Sequence, residues 1–176
     1  VKHIPAYLFS GTPKIKAVTI SDNVTSIGSN AFDGTMWYNS QPDGDVYAGK
    51  VYYKYKGTMP SNTSITIKDG TKGIASSALI DCTGLTSITI PNSVTNIGEY
   101  AFDDCTGLTS ITIPNSVTNI GEYSFYGCKG LINVTIPKNV RTIGESAFRS
   151  CSGIKTMTFE SKLIRIGSHA LGYDEN

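Results

Sequence analysis

The sequence predicts a right-handed α/β solenoid of 23-residue units, with a parallel β-sheet, short second strands and single helical turns. The first observation behind this fold is an exact repeat, since residues 81–100 recur unchanged at 104–123. The second is that the same 23-residue frame carries apolar residues in register along most of the 176-residue chain. The third is physical: a unit this short cannot bury its apolar face alone, so neighbouring units must stack and share one core.

The frame describes one domain. It divides the chain into a partial repeat 1–14, a repeat 15–37, an interruption 38–61 and the repeats 62–84, 85–107, 108–130, 131–153 and 154–176. Positions within a unit are numbered here from 1 to 23, with Leu85 at position 1 of its unit.

Four positions of the frame are apolar in every complete unit and therefore predict the core. Position 6 holds Ile20, Ile67, Ile90, Ile113, Ile136 and Phe159, and position 13 holds Ile27, Ile74, Ile97, Ile120, Ile143 and Ile166. Positions 4 and 18 are filled by Val, Ile, Met, Leu or Phe. Burial of these residues between neighbouring units is expected to supply most of the stability.

Each unit contains signals for three local structures. The alternation in Leu85–Ile90 predicts a short strand, which Pro91 ends because proline lacks a ladder donor. A second short strand is expected around Val94–Ile97. After the glycine at position 14, the spacing of Ala101, Phe102 and Cys105 predicts one or two helical turns.

Composition and charge exclude two classes of function. The chain is 39% hydrophobic and 16% charged, with a net charge of +1 and no basic run, so it has no stripe to neutralise phosphates of nucleic acid. No apolar stretch is long enough to span a bilayer. The sequence contains neither a signal peptide nor a lipidation motif, and we expect the export signal and anchor of an exported protein to lie outside this chain.

All four cysteines occupy position 21: Cys82, Cys105, Cys128 and Cys151. Stacked units place equivalent atoms about 4.8 Å apart, so distance does not exclude disulfides. Equivalent side chains point in parallel directions, however, which favours a ladder of reduced, buried thiols. A metal site is disfavoured because no C-x-x-C spacing exists.

No catalytic constellation is evident, and no enzyme activity, cofactor or metal is predicted. His3 and His169 lie at variable positions without a recurring Ser, Cys or carboxylate partner. The Asp43-Gly44-Asp45 segment could begin a calcium loop, but it lacks the further oxygen ligands and the terminal Glu of that motif, so a turn is favoured.

The first candidate binding surface is a row of small hydroxyl side chains. Position 5 is threonine in every complete unit, and it is expected to face away from the core together with position 3. The candidate partner-binding residues here are Thr66, Thr89, Thr112, Thr135, Ser87, Ser110 and Asn133. The alternative is that threonine is simply a good exposed strand residue.

The second candidate surface is the interruption, in which residues 46–55 predict a β-hairpin. It gathers Tyr47, Tyr52, Tyr53 and Tyr55 with nearby lysines, and clustered aromatic rings suit recognition of proteins or glycans. The alternative is that half of these rings cover the core where the array is broken, and both interpretations can hold for opposite faces of the hairpin.

The pattern L-x-x-I-x-I-P-x-x-V-x-x-I-G-x-x-A-F-x-x-C, as in Leu85–Cys105, resembles the BspA-like or Treponema-type leucine-rich repeat of bacterial surface proteins. The interruption resembles one common in such proteins from gut Bacteroidetes and related anaerobes. The resemblance implies a leucine-rich-repeat solenoid, display on the cell surface and adhesion to host or microbial molecules, not catalysis. The threonine row would then resemble the concave sheet with which other leucine-rich repeat proteins hold protein partners.

Two classes of function follow. The first is a non-catalytic cell-surface module for adhesion that binds a protein or glycan on host or microbial surfaces. The second is a carbohydrate-binding or spacer module attached to a larger exported enzyme. The oligomeric state and the identity of the partner are not predicted.

Overall fold

The computed structural model describes residues 1–160, 162 and 165–172. It is a β-solenoid with about seven turns of about 23 residues each, so the 23-residue period and the parallel sheet predicted from sequence are confirmed. In chain order its elements are β1 His3–Ile4, β2 Ser26–Ile27, α1 Met36–Asn39, β3 Gly44–Ala48, β4 Val51–Lys56, β5 Thr63–Thr66, β6 Gly73–Ile74, β7 Leu85–Thr89, β8 Asn96–Ile97, β9 Asn119–Ile120, β10 Asn133–Ile136, β11 Thr142–Ile143, β12 Thr156–Phe159 and β13 Arg165–Ile166.

The most extended sheet is formed by the short second strands. Its strand order is β13-β11-β9-β8-β6-β4-β3, and all pairs are parallel except β3 with β4. Every repeat aligns position 13 with position 13, as in Ile97 with Ile120 and Ile120 with Ile143. This register keeps the isoleucine column in the core, because a slip by one residue would move it to the surface.

The strands at positions 1–6 of the units, called first strands here, form two separate parallel pairs, β5 with β7 and β10 with β12. The prediction of a strand centred on each position-5 threonine is therefore wrong for Thr19 and Thr112, which lie outside the assigned strands. Thr109 N is 3.4 Å from Thr86 O, a long hydrogen bond. Between repeats 85–107 and 108–130 the units are thus too far apart on this side for the ladder to continue.

The segment after each position-14 glycine forms tight turns where the sequence predicted helical turns. The residues at positions 16 and 20 have left-handed backbone conformations, with φ of 55° at Tyr100 and 51° at Asp104. A right-handed helix cannot pass through such residues. The one helix of the described residues is α1, which begins where the Thr35 hydroxyl accepts a hydrogen bond from Tyr38 N at 3.0 Å.

The core is a set of parallel columns along the solenoid. Ile74, Ile97 and Ile120 are fully buried at position 13, and the position-18 rings stack directly, with centroids of Phe125 and Phe148 5.0 Å apart. Columns of this kind bury each unit against two neighbours, which explains why a single unit need not be stable alone.

The interruption is built into the solenoid as a hairpin. Strands β3 and β4 pair in antiparallel orientation, as the sequence predicts for residues 46–55. Strand β4 then pairs in parallel with β6, with Tyr52 opposite Ile74, so it takes the place of a second strand in the long sheet. The preceding repeat still contacts the next one, because Ser76 N donates to Ile27 O at 2.9 Å.

Candidate functional site

The first candidate surface is called the threonine face and consists of the predicted residues at positions 3 and 5. In it Thr66, Thr89, Thr112 and Thr135 are all exposed. Where the strands pair, equivalent threonines lie directly opposite each other, as Thr66 does with Thr89. Ser110 and Asn133 are also exposed, whereas Ser87 is half-buried and its hydroxyl lies 2.8 Å from that of Ser64. The structure thus places the predicted residues along one side of the array.

The four threonine hydroxyls of this face make no hydrogen bond to any described residue. Other hydroxyls of the array behave differently: Thr86 Oγ1 donates to Thr63 O at 3.0 Å, and Thr95 Oγ1 donates to Lys72 O at 3.1 Å. A hydroxyl both donates and accepts, so the threonine face offers a row of unused hydrogen-bonding groups.

Two of the four tyrosines predicted to form the second candidate surface are buried. Tyr52 and Tyr53 are 0% and 1% exposed, so neither ring can contact a partner and their prediction as binding residues is wrong. The Tyr53 hydroxyl accepts from Phe32 N at 3.0 Å and donates to Asp33 Oδ1 at 2.6 Å. Its ring packs edge-on against Phe32, with centroids 5.4 Å apart. Both rings fill the core where the repeat is interrupted.

Tyr47 and Tyr55 are half-buried and also support the hairpin. The Tyr47 hydroxyl accepts from Lys68 N at 3.0 Å, and its ring packs against Tyr52 at a centroid distance of 5.2 Å. The Lys68 ammonium lies 4.5 Å from the Tyr47 ring centroid, within reach of a cation–π interaction. Of the four predicted tyrosines, these two retain some accessible surface.

A groove that the sequence analysis did not predict crosses the second strands of successive units. It has a volume of about 370 Å³. The side chains at positions 12 and 15 of successive units line it, and these include Asn96, Asn119, Thr142 and Arg165 together with Glu99, Glu122 and Glu145. The glycines at position 14 form its floor. The signal that could have revealed it was the recurrence of Asn at position 12 and Glu at position 15.

The polar side chains of the groove form a ladder between units. Asn119 Nδ2 donates to Asn96 Oδ1 at 2.9 Å, and the Thr142 hydroxyl donates to Asn119 Oδ1. Beside the glutamates, the rings of Tyr100 and Tyr123 stack with centroids 4.9 Å apart and an angle of 4° between their planes. The groove therefore combines carboxylates and amides, with aromatic rings next to the carboxylates.

The cysteine thiols are buried and free. Cys105, Cys128 and Cys151 each donate to a backbone carbonyl of the preceding unit, at 3.1, 3.0 and 2.9 Å. Burial raises the pKa of the Cys82 and Cys151 thiols to about 12. Because the reactive form of cysteine is the thiolate, these groups are chemically inert in the folded protein.

One carboxyl group, that of Asp103, has a clearly altered acidity. Burial, followed by the charges of Asp104 and Asp81, raises the pKa of Asp103 to about 6. Its Oδ1 atom is buried and has no hydrogen-bond partner among the described residues. The carboxyl is therefore a point of local destabilisation at neutral pH.

The remaining titratable residues form no reactive cluster in the described part of the chain. Three or more His, Cys, Asp or Glu side chains do not come together there as metal ligands. His3 is exposed and its Nδ1 atom lies 2.9 Å from the Ser26 hydroxyl, while His169 is exposed in a turn. Within the described ranges, no helix has the length and apolar character needed to cross a bilayer.

An apolar cavity of about 710 Å³ lies at the N-terminal end of the array. It is lined by Ile4, Phe9, Val18 and Phe32 among others. The apolar residues at positions 4 and 6 of repeat 15–37, Val18 and Ile20, form part of this lining.

Stacked parallel strands with in-register Leu and Ile columns define a leucine-rich repeat solenoid. The chain belongs to the BspA-type leucine-rich repeat family, whose model matches residues 1–40 and 52–176 in six copies. The unmatched residues 41–51 lie within the interruption. The family confirms the resemblance seen in the sequence, and leucine-rich repeats serve as protein-interaction or surface modules on a non-enzymatic fold.

Two solved structures illustrate the fold. The pneumococcal vaccine antigen PcpA is 22% identical with a TM-score of 0.68, over 96% of this chain and 46% of that one. A leucine-rich cell surface protein from Faecalibacterium prausnitzii A2-165 is also 22% identical, with a TM-score of 0.56, over 91% of this chain and 57% of that one. The chain thus spans about half the length of each. No curated protein sequence matches it at a significant level.

Proposed function

We propose that this chain is a non-catalytic interaction module of an extracellular surface protein, and that it binds proteins of host or microbial surfaces through the threonine face. The observation that carries the proposal is the row of exposed hydroxyls of Thr66, Thr89, Thr112 and Thr135, none of which is used within the described structure. Extracellular display is supported by the family and by the two proteins of similar fold, one a cell surface protein and the other a vaccine antigen.

The geometry suits a broad protein partner better than a small ligand. Where first strands pair, as at Thr66 and Thr89, equivalent threonines lie about 4.8 Å apart, and Thr112 and Thr135 continue the row on the next two units. The side chains are short and present a shallow surface without a compact cavity. Contact spread over several units is the way in which repeat proteins use an extended face.

A screen of the folded chain against immobilised matrix proteins and glycans tests the proposal. Replacing Thr89, Thr112 and Thr135 by lysine should abolish binding to a protein found in the screen, because three long charged side chains disrupt a flat neutral interface. The matched control replaces Asn92, Asn115 and Thr118, which are also exposed, by lysine and should retain binding. Equal binding by both triple variants would exclude the threonine face as the site.

The second candidate is the carbohydrate-binding or spacer module. Half-buried Tyr47 and Tyr55 favour it, because accessible aromatic rings can stack on sugars. Binding to glycans alone in the same screen, with loss in Tyr55→Ala, would support the carbohydrate-binding form. Absence of any binding by a folded protein would favour the spacer form.

A further inference from the structure

A second surface of the molecule has features that the proposed function does not use. It is the groove along the second strands, which we call the second-strand groove and define by positions 12, 14 and 15 of the units from Asn96 to Gly167. It lies on a different strand set from the threonine face. Its chemistry is also different, because it contains a row of carboxylates with aromatic rings next to them.

The shape of the groove follows from glycine at position 14. At Gly121 an added Cβ would lie 2.6 Å from Glu99 N, and at Gly98 it would lie 2.5 Å from Ser76 N. Only glycine allows the backbones of neighbouring units to approach this closely. The floor is consequently bare backbone, while the side chains at positions 12 and 15 rise on either side.

Three carboxylates line the middle of the groove, and one cationic side chain, Arg165, lies at position 12 of the last unit that lines it. Glu99, Glu122 and Glu145 are exposed and repeat on three consecutive units. The ion pairs of the described residues are Lys50 with Asp22 and Lys54 with Asp33, so neither involves these glutamates. Like charges on neighbouring strands repel each other. A cationic ligand in the groove would relieve that repulsion.

The aromatic rings next to the glutamates add a second preference for cations. Tyr100 and Tyr123 are half-exposed and stacked, and each directly follows a glutamate in the sequence. The Tyr123 hydroxyl lies 3.4 Å from Glu145 Oε1, which places the ring beside the carboxylate row. Lysine and arginine side chains bind both to carboxylates and to the faces of such rings.

The asparagine ladder supplies hydrogen-bonding groups for a polypeptide backbone. Asn96 Oδ1 accepts from Asn119, but Asn96 Nδ2 has no acceptor among the described residues. An amide donor of this kind can bind a peptide carbonyl. The groove thus offers side-chain amides for contacts with a peptide backbone and carboxylates for contacts with cationic side chains.

We propose that the second-strand groove binds an extended protein segment that carries lysine or arginine residues. The segment lies along the array, with its cationic side chains over Glu99, Glu122 and Glu145 and its backbone against the asparagine ladder. This surface is separate from the threonine face, so it holds whether or not that face binds a partner.

The test measures the fluorescence anisotropy of a labelled peptide of alternating lysine and serine on the folded chain at low and physiological salt. A length of about eight residues extends beyond both ends of the groove, because four stacked units at about 4.8 Å spacing extend roughly 15 Å and an extended chain rises roughly 3.3 Å per residue. A peptide of alternating glutamate and serine is the ligand control. The lysine peptide should bind, and its affinity should fall as salt screens the carboxylates.

The decisive variant replaces Glu99, Glu122 and Glu145 by glutamine, which removes three charges and preserves side-chain size. Exposed ion pairs each contribute little, so the combined loss of affinity should be about tenfold. The matched control removes three exposed carboxylates elsewhere through Asp22→Asn, Asp69→Asn and Glu160→Gln, and should change the affinity much less. The lysine variant of the threonine face should bind the peptide as the parent does.

Three results would overturn the proposal. Equal weakening in the groove and control variants would show attraction by net charge only. Unchanged affinity in the groove variant would place the peptide elsewhere. Displacement of the peptide by a neutral oligosaccharide, with full affinity in the groove variant, would identify the groove as a glycan site.

Discussion

The rings of Phe102 and Phe125 stack in parallel, with centroids 4.9 Å apart and an angle of 4° between their planes. Both residues occupy position 18 of consecutive units, and both are fully buried. Phe125 also stacks on Phe148 of the next unit, so it links three turns of the solenoid.

Truncation of this central ring should destabilise the whole array. Phe125→Ala should lower the free energy of unfolding by about 3 to 5 kcal/mol, because it opens a cavity between two neighbouring units. Thr112→Ala, at an exposed position, should change it much less. Urea unfolding followed by circular dichroism measures both, and the reverse order would show that the assignment of inner and outer positions is inverted.

Gly121, at position 14 of its unit, should be intolerant even of alanine. In Gly121→Ala the new methyl would lie 2.6 Å from backbone atoms of Glu99 and Gly98, so the units must separate. Overpacking of this kind costs about 1 to 3 kcal/mol, or more where only backbone can move. Gly172→Ala is the control, since its Cβ would meet ordinary contacts at 3.5 Å or more. Equal thermal stability of the two variants would contradict the close approach of the units.

The Tyr53 hydroxyl should stabilise the interruption. Tyr53→Phe retains the ring but leaves Phe32 N and the Asp33 carboxylate without this partner, and should cost about 1 to 3 kcal/mol. Tyr55→Phe is the matched control, because the Tyr55 hydroxyl has no hydrogen bond among the described residues. Chemical denaturation of both variants checks the prediction, and a larger effect at Tyr55 would refute it.

Asp103 should make stability depend on pH. Burial raises its pKa from 3.8 to about 6, so the folded state prefers the protonated carboxyl. The stabilising contribution is complete below about pH 3.8 and is lost as the pH rises through about 6. Asp103→Asn should therefore raise the melting temperature at pH 7.5 relative to the parent and have little effect at pH 4. Exposed Asp69→Asn should show no such difference, and an equal gain for both variants would exclude this origin.

Much of the fold could be predicted because the repeat constrains it. Two identical 20-residue segments must adopt similar structures, and the isoleucines at position 13 can be buried in every unit only if the units stack in register. The exposure of Thr89 and Thr135 followed from the same alternation of apolar and polar residues. The free, buried cysteines agree with the expectation for side chains that point in parallel directions.

The candidate sites could be predicted only in part, because they depend on contacts between units. Tyr52 and Tyr53 are adjacent in a strand, where alternation would expose one of them, yet both are buried. A register irregularity between Val46 and Tyr47 and the packing of β4 between two repeats account for this. The second-strand groove was missed because its floor is defined by the approach of neighbouring backbones at position 14.

The sequence by itself determined the period, the apolar columns and the outward direction of the position-5 threonines, since burial of apolar side chains at a fixed repeat leaves few other arrangements. Only the tertiary structure decided which strands form a continuous sheet. Residues 85–90 and 108–113 have the same sequence, yet Leu85–Thr89 is a strand and residues 108–113 are not. The distance to the neighbouring unit, and not the local sequence, determines whether the backbone hydrogen bonds of a first strand can form.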